Sequence, residues 1–347
     1  MRAIRQVYEP VSKSDPRRVT LRRRGVNHGT YRPKGRATEV DLRDAWAEAA
    51  PLHLPGALGP AADWQLAVRR TSRLFTRLLD DADFEADVAR RLADRPEWEL
   101  AGASVDLSDP REIVKVHVDR RKGTRFDARD LWAKASWISH DPRDVSLRIR
   151  FSFGSEYHDD WQHDPKRARA ADDLAEAVFP ECARLARNPA LDALLRKLTG
   201  RRVRLSERIV FANAPGGGAR FHHDAEPDQL GVAYGQMEGR TAWLAVPKRE
   251  LAVLAGRVAR GPLARSFATE RRALAALDRE DDALRRLLDS TPRLTRTLAE
   301  HGRLHVLRPG DVLLLPSRGA DEAAWHSVFA LGDRPSLAHS YGIFAAR

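Results

Sequence analysis

Phe221-His222-His223-Asp224 is the densest group of chemistry-bearing residues in the sequence, and it follows the turn-forming run Ala214-Pro215-Gly216-Gly217-Gly218. In a strand, residues two apart share a face. His222 and Asp224 therefore point to one side and His223 to the other. An imidazole beside a carboxylate supplies two thirds of the facial triad that holds non-haem Fe(II) while leaving coordination positions open. The third ligand should be a histidine from a distant strand. His326 is the candidate, set in Trp325-His326-Ser327-Val328 after Pro309-Gly310-Asp311 and the apolar run Val312–Pro316. An H-x-D pattern alone is as well explained by a solvated pair, because the chain has 12 His and many Asp. The placing of both parts on strands behind tight turns is what favours ligation.

The elements that must carry these residues change character along the chain. Residues 39–95 are predicted helical, with Trp64, Val68, Phe75, Leu78 and Leu79, then Phe84, Val88 and Leu92, at three-to-four spacing. The period then shortens. Val114, Val116 and Val118 alternate with polar neighbours, and Val145, Leu147, Ile149, Phe151 and Phe153 alternate with Ser146, Arg148, Arg150 and Ser152. Such unbroken alternation predicts a half-buried strand. A helix is predicted over 189–199, capped by Asn188, opened by Pro189 and stopped by Gly200. Beyond it lie predicted strands at 203–205, 209–213, 220–224, 241–246, 303–307, 312–315 and 336–344. One helical excursion, 249–301, interrupts them, with Leu274, Leu277, Leu284, Leu287 and Leu288 as its apolar positions. Short strands joined by Gly/Pro turns suggest a closed or sandwiched β-barrel.

The chain has 347 residues, enough for one large domain or two intimate ones, and its 42% hydrophobic content excludes a wholly disordered protein. No apolar run approaches the ~18–20 residues of a membrane helix, and the first ten residues lack a signal-peptide core. A soluble, cytoplasmic protein is expected. The single cysteine, Cys182, excludes an internal disulfide and any cysteine-built zinc or iron–sulfur site. The net charge of +11 is uneven: residues 1–36 carry eleven Lys/Arg against two acids, and the remainder is nearly neutral. Residues 1–36, with the run Arg22-Arg23-Arg24, are thus expected to form a basic arm. Its readings are a partly ordered lead-in, a contact for nucleic acid or an acidic protein, or an organellar transit peptide. With only eight Lys among 60 basic residues, arginine number itself says little. A helical lead-in over 37–110 and a barrel domain over 111–347, holding the insertion 249–301, complete the expected organisation.

From about residue 190 to 347 the sequence resembles the Fe(II)/2-oxoglutarate oxygenases built on a double-stranded β-helix, in particular the JmjC-like and cupin-like hydroxylases. The motifs are His222-x-Asp224, Gln236-Met237-Glu238-Gly239-Arg240-Thr241-Ala242-Trp243-Leu244 running on to Pro247, Pro309-Gly310-Asp311 through Pro316, and Trp325-His326. The resemblance implies an α+β chain, with a cupin/jelly-roll barrel preceded by N-terminal helices and interrupted by a helical insertion. It implies Fe(II) on His222, Asp224 and His326, with 2-oxoglutarate and O2 as cosubstrates. The implied chemistry is oxidative decarboxylation to succinate and CO2, coupled to hydroxylation of an unactivated C–H bond. Implied substrates are a peptide or protein, an RNA in some relatives, or a small molecule of a biosynthetic pathway.

Two features depart from the family pattern. Thr241 stands where JmjC-type hydroxylases commonly carry the lysine that pairs with the distal carboxylate of 2-oxoglutarate. The turn between Pro316 and His326 is also longer than usual, which places the loop 317–324 near the site mouth. Arg334-Pro335-Ser336 is the expected replacement for the lysine, because other branches of the superfamily use an R-x-S at about that distance. A guanidinium grips a carboxylate with two parallel hydrogen bonds, and Ser336, Ala338 and Ser340 share one strand face. Arg334, Ser336 and Thr241 are therefore the expected cosubstrate contacts; the alternative is that Arg334 is a solvated turn residue.

Other residues carry blander readings. His117 is expected on the solvent face of its strand, His339 in packing, and Cys182 as a small buried side chain. The stretch Tyr157–Asp164 is either a polar loop or a lid over the barrel. There is no P-loop, dinucleotide glycine fingerprint or G-x-S-x-G elbow. Two rival functions stand beside the oxygenase: a non-catalytic cupin-like scaffold working through its basic arm, and a cupin metalloenzyme that does not use 2-oxoglutarate.

Overall fold

Period-two alternation builds most of the chain, and the strands it forms fall into three antiparallel sheets. The computed structural model describes residues 1–80, 83–154, 164–279 and 281–346. Its early strands are β1 (Ala3–Arg5), β2 (Tyr8–Pro10), β3 (Val19–Arg23), β4 (Val26–Pro33), β5 (Thr38–Val40) and β6 (Leu52–Leu54). Then come β7 (Trp98–Ser104), β8 (Glu112–Lys122), β9 (Arg125–Trp137) and β10 (Leu147–Phe153). The barrel strands are β11 (Val203–Asn213), β12 (Gln229–Glu238), β13 (Arg240–Pro247), β14 (Leu304–Leu307), β15 (Val312–Pro316), β16 (Ala324–Leu331) and β17 (Ser336–Ala345).

The large sheet has eleven strands in the order β5-β1-β6-β15-β12-β17-β11-β10-β9-β8-β7. The small sheet is β14-β13-β16, and His222 joins its edge through an antiparallel bridge to His326. From β11 onward the chain crosses repeatedly between the two: β11 large, His222 small, β12 large, β13 and β14 small, β15 large, β16 small, β17 large. That is the winding of a double-stranded β-helix, set within an α+β chain. Side-chain alternation on β17 shows how the layers divide. Leu337, Tyr341 and Ile343 face outward into the largest apolar core, while Ala338 faces the barrel interior with Val232, Tyr234, Trp243 and Val328.

Helices cover both outer faces. Gln65–Leu79, Phe84–Leu92, Pro165–Val178 and Pro189–Thr199 pack on the large sheet through Phe75, Val88, Leu174 and Leu191. The last of these has the predicted ends: Asn188 accepts from the backbone N–H groups of Ala190 and Leu191, and Gly200 closes it at φ 70°. The excursion 249–301 is a run of short helices over the small sheet, packed through Leu251, Leu277, Leu284 and Leu298. No helix among the described residues is long and apolar enough to cross a membrane.

The N-terminal expectations need correction. Residues 1–36 are not an arm. β1 pairs in the large sheet with β5 and β6, while β2, β4 and β3 form a third sheet. Tyr8, Leu21 and Tyr31 of that sheet enter the core of the helical insertion. Three of the eleven basic groups there are paired with carboxylates: Arg23 with Asp289, Arg24 with Asp144, and Arg32 with Glu9 and Asp15. Charge counted along the sequence could not show these partners, because two of them lie more than a hundred residues away. The lead-in 37–110 mixes the expected helices with strands β5, β6 and β7.

Candidate metal centre

The structure brings His222, Asp224 and His326 together, with one ligand atom of each lying within 4.8 Å of the others. Asp224 sits between the imidazoles, its Oδ1 3.3 Å from His222 Nε2 and its Oδ2 3.5 Å from His326 Nε2. The histidine rings are 4.2 Å apart between centroids. Backbone pairing places them: His222 N–H donates to the His326 carbonyl at 3.0 Å, and His326 N–H returns the bond at 2.8 Å. Each ring is also oriented by its other nitrogen. His222 Nδ1 lies 2.7 Å from the Arg220 carbonyl, and His326 Nδ1 lies 3.2 Å from that of Ala324. A carbonyl accepts only from a protonated Nδ1, so in the neutral form of either ring the lone pair lies on Nε2, the atom that faces Asp224.

Electrostatics treat the members differently: burial lowers His222, but Asp224 outweighs it and raises that imidazole, so a metal would have to displace a proton there. Burial raises the Asp224 carboxyl, but His326 and then His222 outweigh it and hold the group below the usual carboxylate range. Burial, followed by His222, lowers His326 to about 4. His326 is therefore neutral at physiological pH, the form that ligates a metal. Two imidazoles and a carboxylate, all reaching one point with Nε2 atoms available, suit an octahedral divalent iron.

The centre opens on a cavity of about 490 Å³ between the two sheets. Trp243, Tyr234, Phe211 and Val328 form its apolar wall, and Trp243 lies 5.2 Å from the His326 ring. Arg24, Arg148 and Arg220 supply its cations. Glu207 enters from a bulge in β11 between Ser206 and Ile209, where its φ is 57°. Bulges re-aim side chains beside functional sites, and this one does so. Burial and the neighbouring Glu226 raise the Glu207 carboxyl to about 8.

The glycine run ahead of His222 is fixed from several sides. Asp144 accepts from the Gly218 N–H at 3.2 Å and from Arg24 Nε at 2.9 Å; Ser146 Oγ accepts from the Ala214 N–H at 2.9 Å. Gly218 has φ 124°, and a Cβ there would collide with the Val328 carbonyl two residues beyond His326. Gly218→Ala is therefore expected to destabilise the fold by more than about 1 kcal/mol and to weaken divalent-metal binding by displacing the His222 segment. Urea melts and a Co(II) titration check both effects; unchanged values in each would overturn this account of the turn.

The expected cosubstrate contacts fare differently. Arg334 and Ser336 line a separate cavity of about 190 Å³ beside Phe75 and Leu147, which contains none of the three ligands. Arg334 is exposed in the turn before β17. Parity on β17 holds, but the strand carries Ser340, not Ser336, into the metal cavity. Thr241 is buried below the Tyr234–Trp243 pair, its hydroxyl donating to Gln236 Oε1 at 2.7 Å and accepting from Trp243 Nε1 at 3.0 Å. Its bonds are committed within the protein.

Arg148, Arg220 and Glu207 are cavity residues that the sequence reading passed over. Alternation had put Arg148 on the polar face of its strand; β10 extends the large sheet, so that face looks into the cavity instead of solvent. Residues 155–163, most of the expected loop or lid, lie outside the described residues; Asp164 caps the helix that follows. His117 is half-buried and hydrogen-bonded to Ser104, and His339 packs beside Cys182 with its Nδ1 3.1 Å from Sγ.

No family model and no curated protein matches the chain. Among solved structures it is similar to the non-heme alpha ketoglutarate dependent epimerase SnoN from nogalamycin biosynthesis, at 14% identity over 88% of this chain and 80% of that one, with a TM-score of 0.34. The complex of SnoN with Fe3+, alpha ketoglutarate and nogalamycin RO gives 16% identity over 88% and 82%, with a TM-score of 0.33. YcfD, a ribosomal oxygenase from Escherichia coli, gives 15% identity over 69% of this chain, with a TM-score of 0.27. The chain spans 41% of YcfD's length.

Proposed function

We propose that this protein is an Fe(II)- and 2-oxoglutarate-dependent oxygenase that hydroxylates an unactivated C–H bond. The observation that carries the reading is the convergence of His222, Asp224 and His326 at the mouth of a cavity that also holds arginines. His222 and His326 hold the metal through Nε2, and Asp224 through its carboxylate. Iron and 2-oxoglutarate, when bound, would supply a reaction with O2 in which one oxygen atom goes into succinate as CO2 is lost and the other into the C–H bond.

The chain's own residues do the positioning. Arg24 is committed to Asp144 and to the Gly218 carbonyl, and Arg220 is exposed at the rim. Arg148 is half-buried in the cavity wall, where its Nε donates to Ser136 Oγ at 3.2 Å; held there by its own partners, it is the proposed anchor for the distal carboxylate in place of Arg334. Trp243, Val328 and Phe211 exclude water around the reacting carbon. A cavity of about 490 Å³ falls within the ordinary range for small-molecule sites, which favours a small organic substrate over a protein segment. The scaffold reading gives its working role to a basic arm, of which Arg23 and Arg24 are buried; the absence of a lysine at Thr241 is the feature that speaks for it.

The direct test is to add Fe(II) and 2-oxoglutarate anaerobically to the apo-protein and record the visible spectrum. A metal-to-ligand charge-transfer band, absent in His222→Ala, is the expected result; iron binding without the band would favour a cupin chemistry that does not use 2-oxoglutarate. Arg148→Ala is expected to weaken 2-oxoglutarate by about 10- to 100-fold, the worth of a hydrogen-bonded charge. Arg334→Ala should leave that affinity unchanged. The reverse pattern would return the anchor to Arg334.

A further inference from the structure

The run Arg22-Arg23-Arg24 drew notice as a nucleic-acid docking strip, yet Arg23 is 3% exposed and points into the protein beside the metal centre. Its Nη1 donates to the Ala219 carbonyl at 2.6 Å and to Ser327 Oγ. Its Nη2 pairs with Asp289 Oδ1 at 2.8 Å, and its guanidinium lies 4.7 Å from the centroid of the Phe329 ring. The same Asp289 oxygen accepts from the Phe221 backbone N–H at 2.8 Å. These partners flank the ligands in the chain: Phe221 precedes His222, Ser327 follows His326, and Ala219 accepts from the Val328 N–H at 2.9 Å. The pair thus holds both sides of the His222–His326 bridge from outside the barrel. Arg23 comes from β3, and Asp289 from the insertion helix Asp282–Ser290.

We propose that Arg23 and Asp289 are positioning residues of the metal centre, fixing the spacing of the two histidine strands so that both Nε2 atoms meet Asp224. The inference rests on the metal-centre reading above. A guanidinium sets geometry as well as charge because its donors lie in a rigid plane; here Nη1 reaches Ser327 beside His326, and Nη2, through Asp289, reaches Phe221 beside His222. Both partners sit outside the cavity, so they touch neither metal nor substrate.

The test is a Co(II) titration of the full chain, followed by the visible d–d spectrum, with thermal melting of the apo-protein alongside. Asp289→Asn and Arg23→Lys are each expected to weaken Co(II) at least about 10-fold and to change the shape of the band, as loss of a group orienting a ligand does. A purely structural pair would lower the melting temperature and leave affinity and band untouched in the folded protein; that result would overturn the proposal. If the charged-pair variants fail to fold, Ser327→Ala removes one acceptor and keeps both charges. It is expected to weaken Co(II) about 5-fold, the worth of one hydrogen bond, and an unchanged affinity in it overturns the proposal. His222→Ala separates the two readings: if it binds Co(II) as the parent does, the metal centre itself is misplaced.

Discussion

His326→Ala is expected to remove metal binding while leaving the fold in place. His326 is 3% exposed, and its side chain meets Asp224, Trp243 and the His222 ring. Its strand, however, is held by backbone bonds to His222 and by pairing with β13, neither of which needs the imidazole. Losing a group that merely orients a ligand lowers metal affinity by roughly 10- to 100-fold, so losing the ligand should exceed that. Iron or Co(II) titration of the variant, with circular dichroism as the fold control, measures it. An affinity within a few-fold of the parent would sink the centre as assigned. Asp224→Ala is expected to behave likewise, with the two imidazoles left without the carboxylate between them.

Asp144→Ala should produce the largest loss of stability. Asp144 is 2% exposed and receives Arg24 Nε, the Gly218 N–H and the Ser146 N–H. Removing it takes the carboxylate from the buried Arg24 and the acceptor from two backbone N–H groups, Gly218 and Ser146. Stripping one partner from a buried ion pair costs about 3–5 kcal/mol, because the remaining charge keeps its desolvation penalty. Guanidinium denaturation is the measurement, and Arg143→Ala is the control, since that residue makes an exposed pair with Asp141 and should change stability little. Equal effects from both variants would show that burial at Asp144 has been overvalued. Asp144→Asn keeps an acceptor for Gly218 and should fall between the two.

The convergence of His222, Asp224 and His326 was legible in the sequence because period-two geometry and turn chemistry are local. His222 and Asp224 share a face by parity alone, and the apolar run before His326 marks its approach to the barrel. Arg148 was also on the right face of the right strand, but which side of a sheet a second sheet will cover depends on pairing that no window of residues contains. Arg334 lies away from the metal cavity for a related reason. Motif spacing located it in the turn beyond His326, whereas only the register of β17 against β11 shows that Ser340 reaches the cavity and Ser336 does not. The basic segment misled most, since charge tallied along a chain ignores Asp144 and Asp289, whose contacts form only in three dimensions. β12, rich in Gly and small residues, offered little alternation and passed unnoticed, although it is central to the barrel.

The bonds of Arg23 bear on how the protein becomes active. Its contact to Ser327 spans 304 positions of the chain, and its contact to Asp289 spans 266. Contacts of such separation carry a large loop-closure cost and cannot be made by any locally folded piece of the chain. The His222 and His326 segments are thus joined by groups that meet only when distant parts of the chain are docked. Under the proposed metal-centre reading, tight metal binding would therefore report a chain whose first strands, helical insertion and last strands are in register.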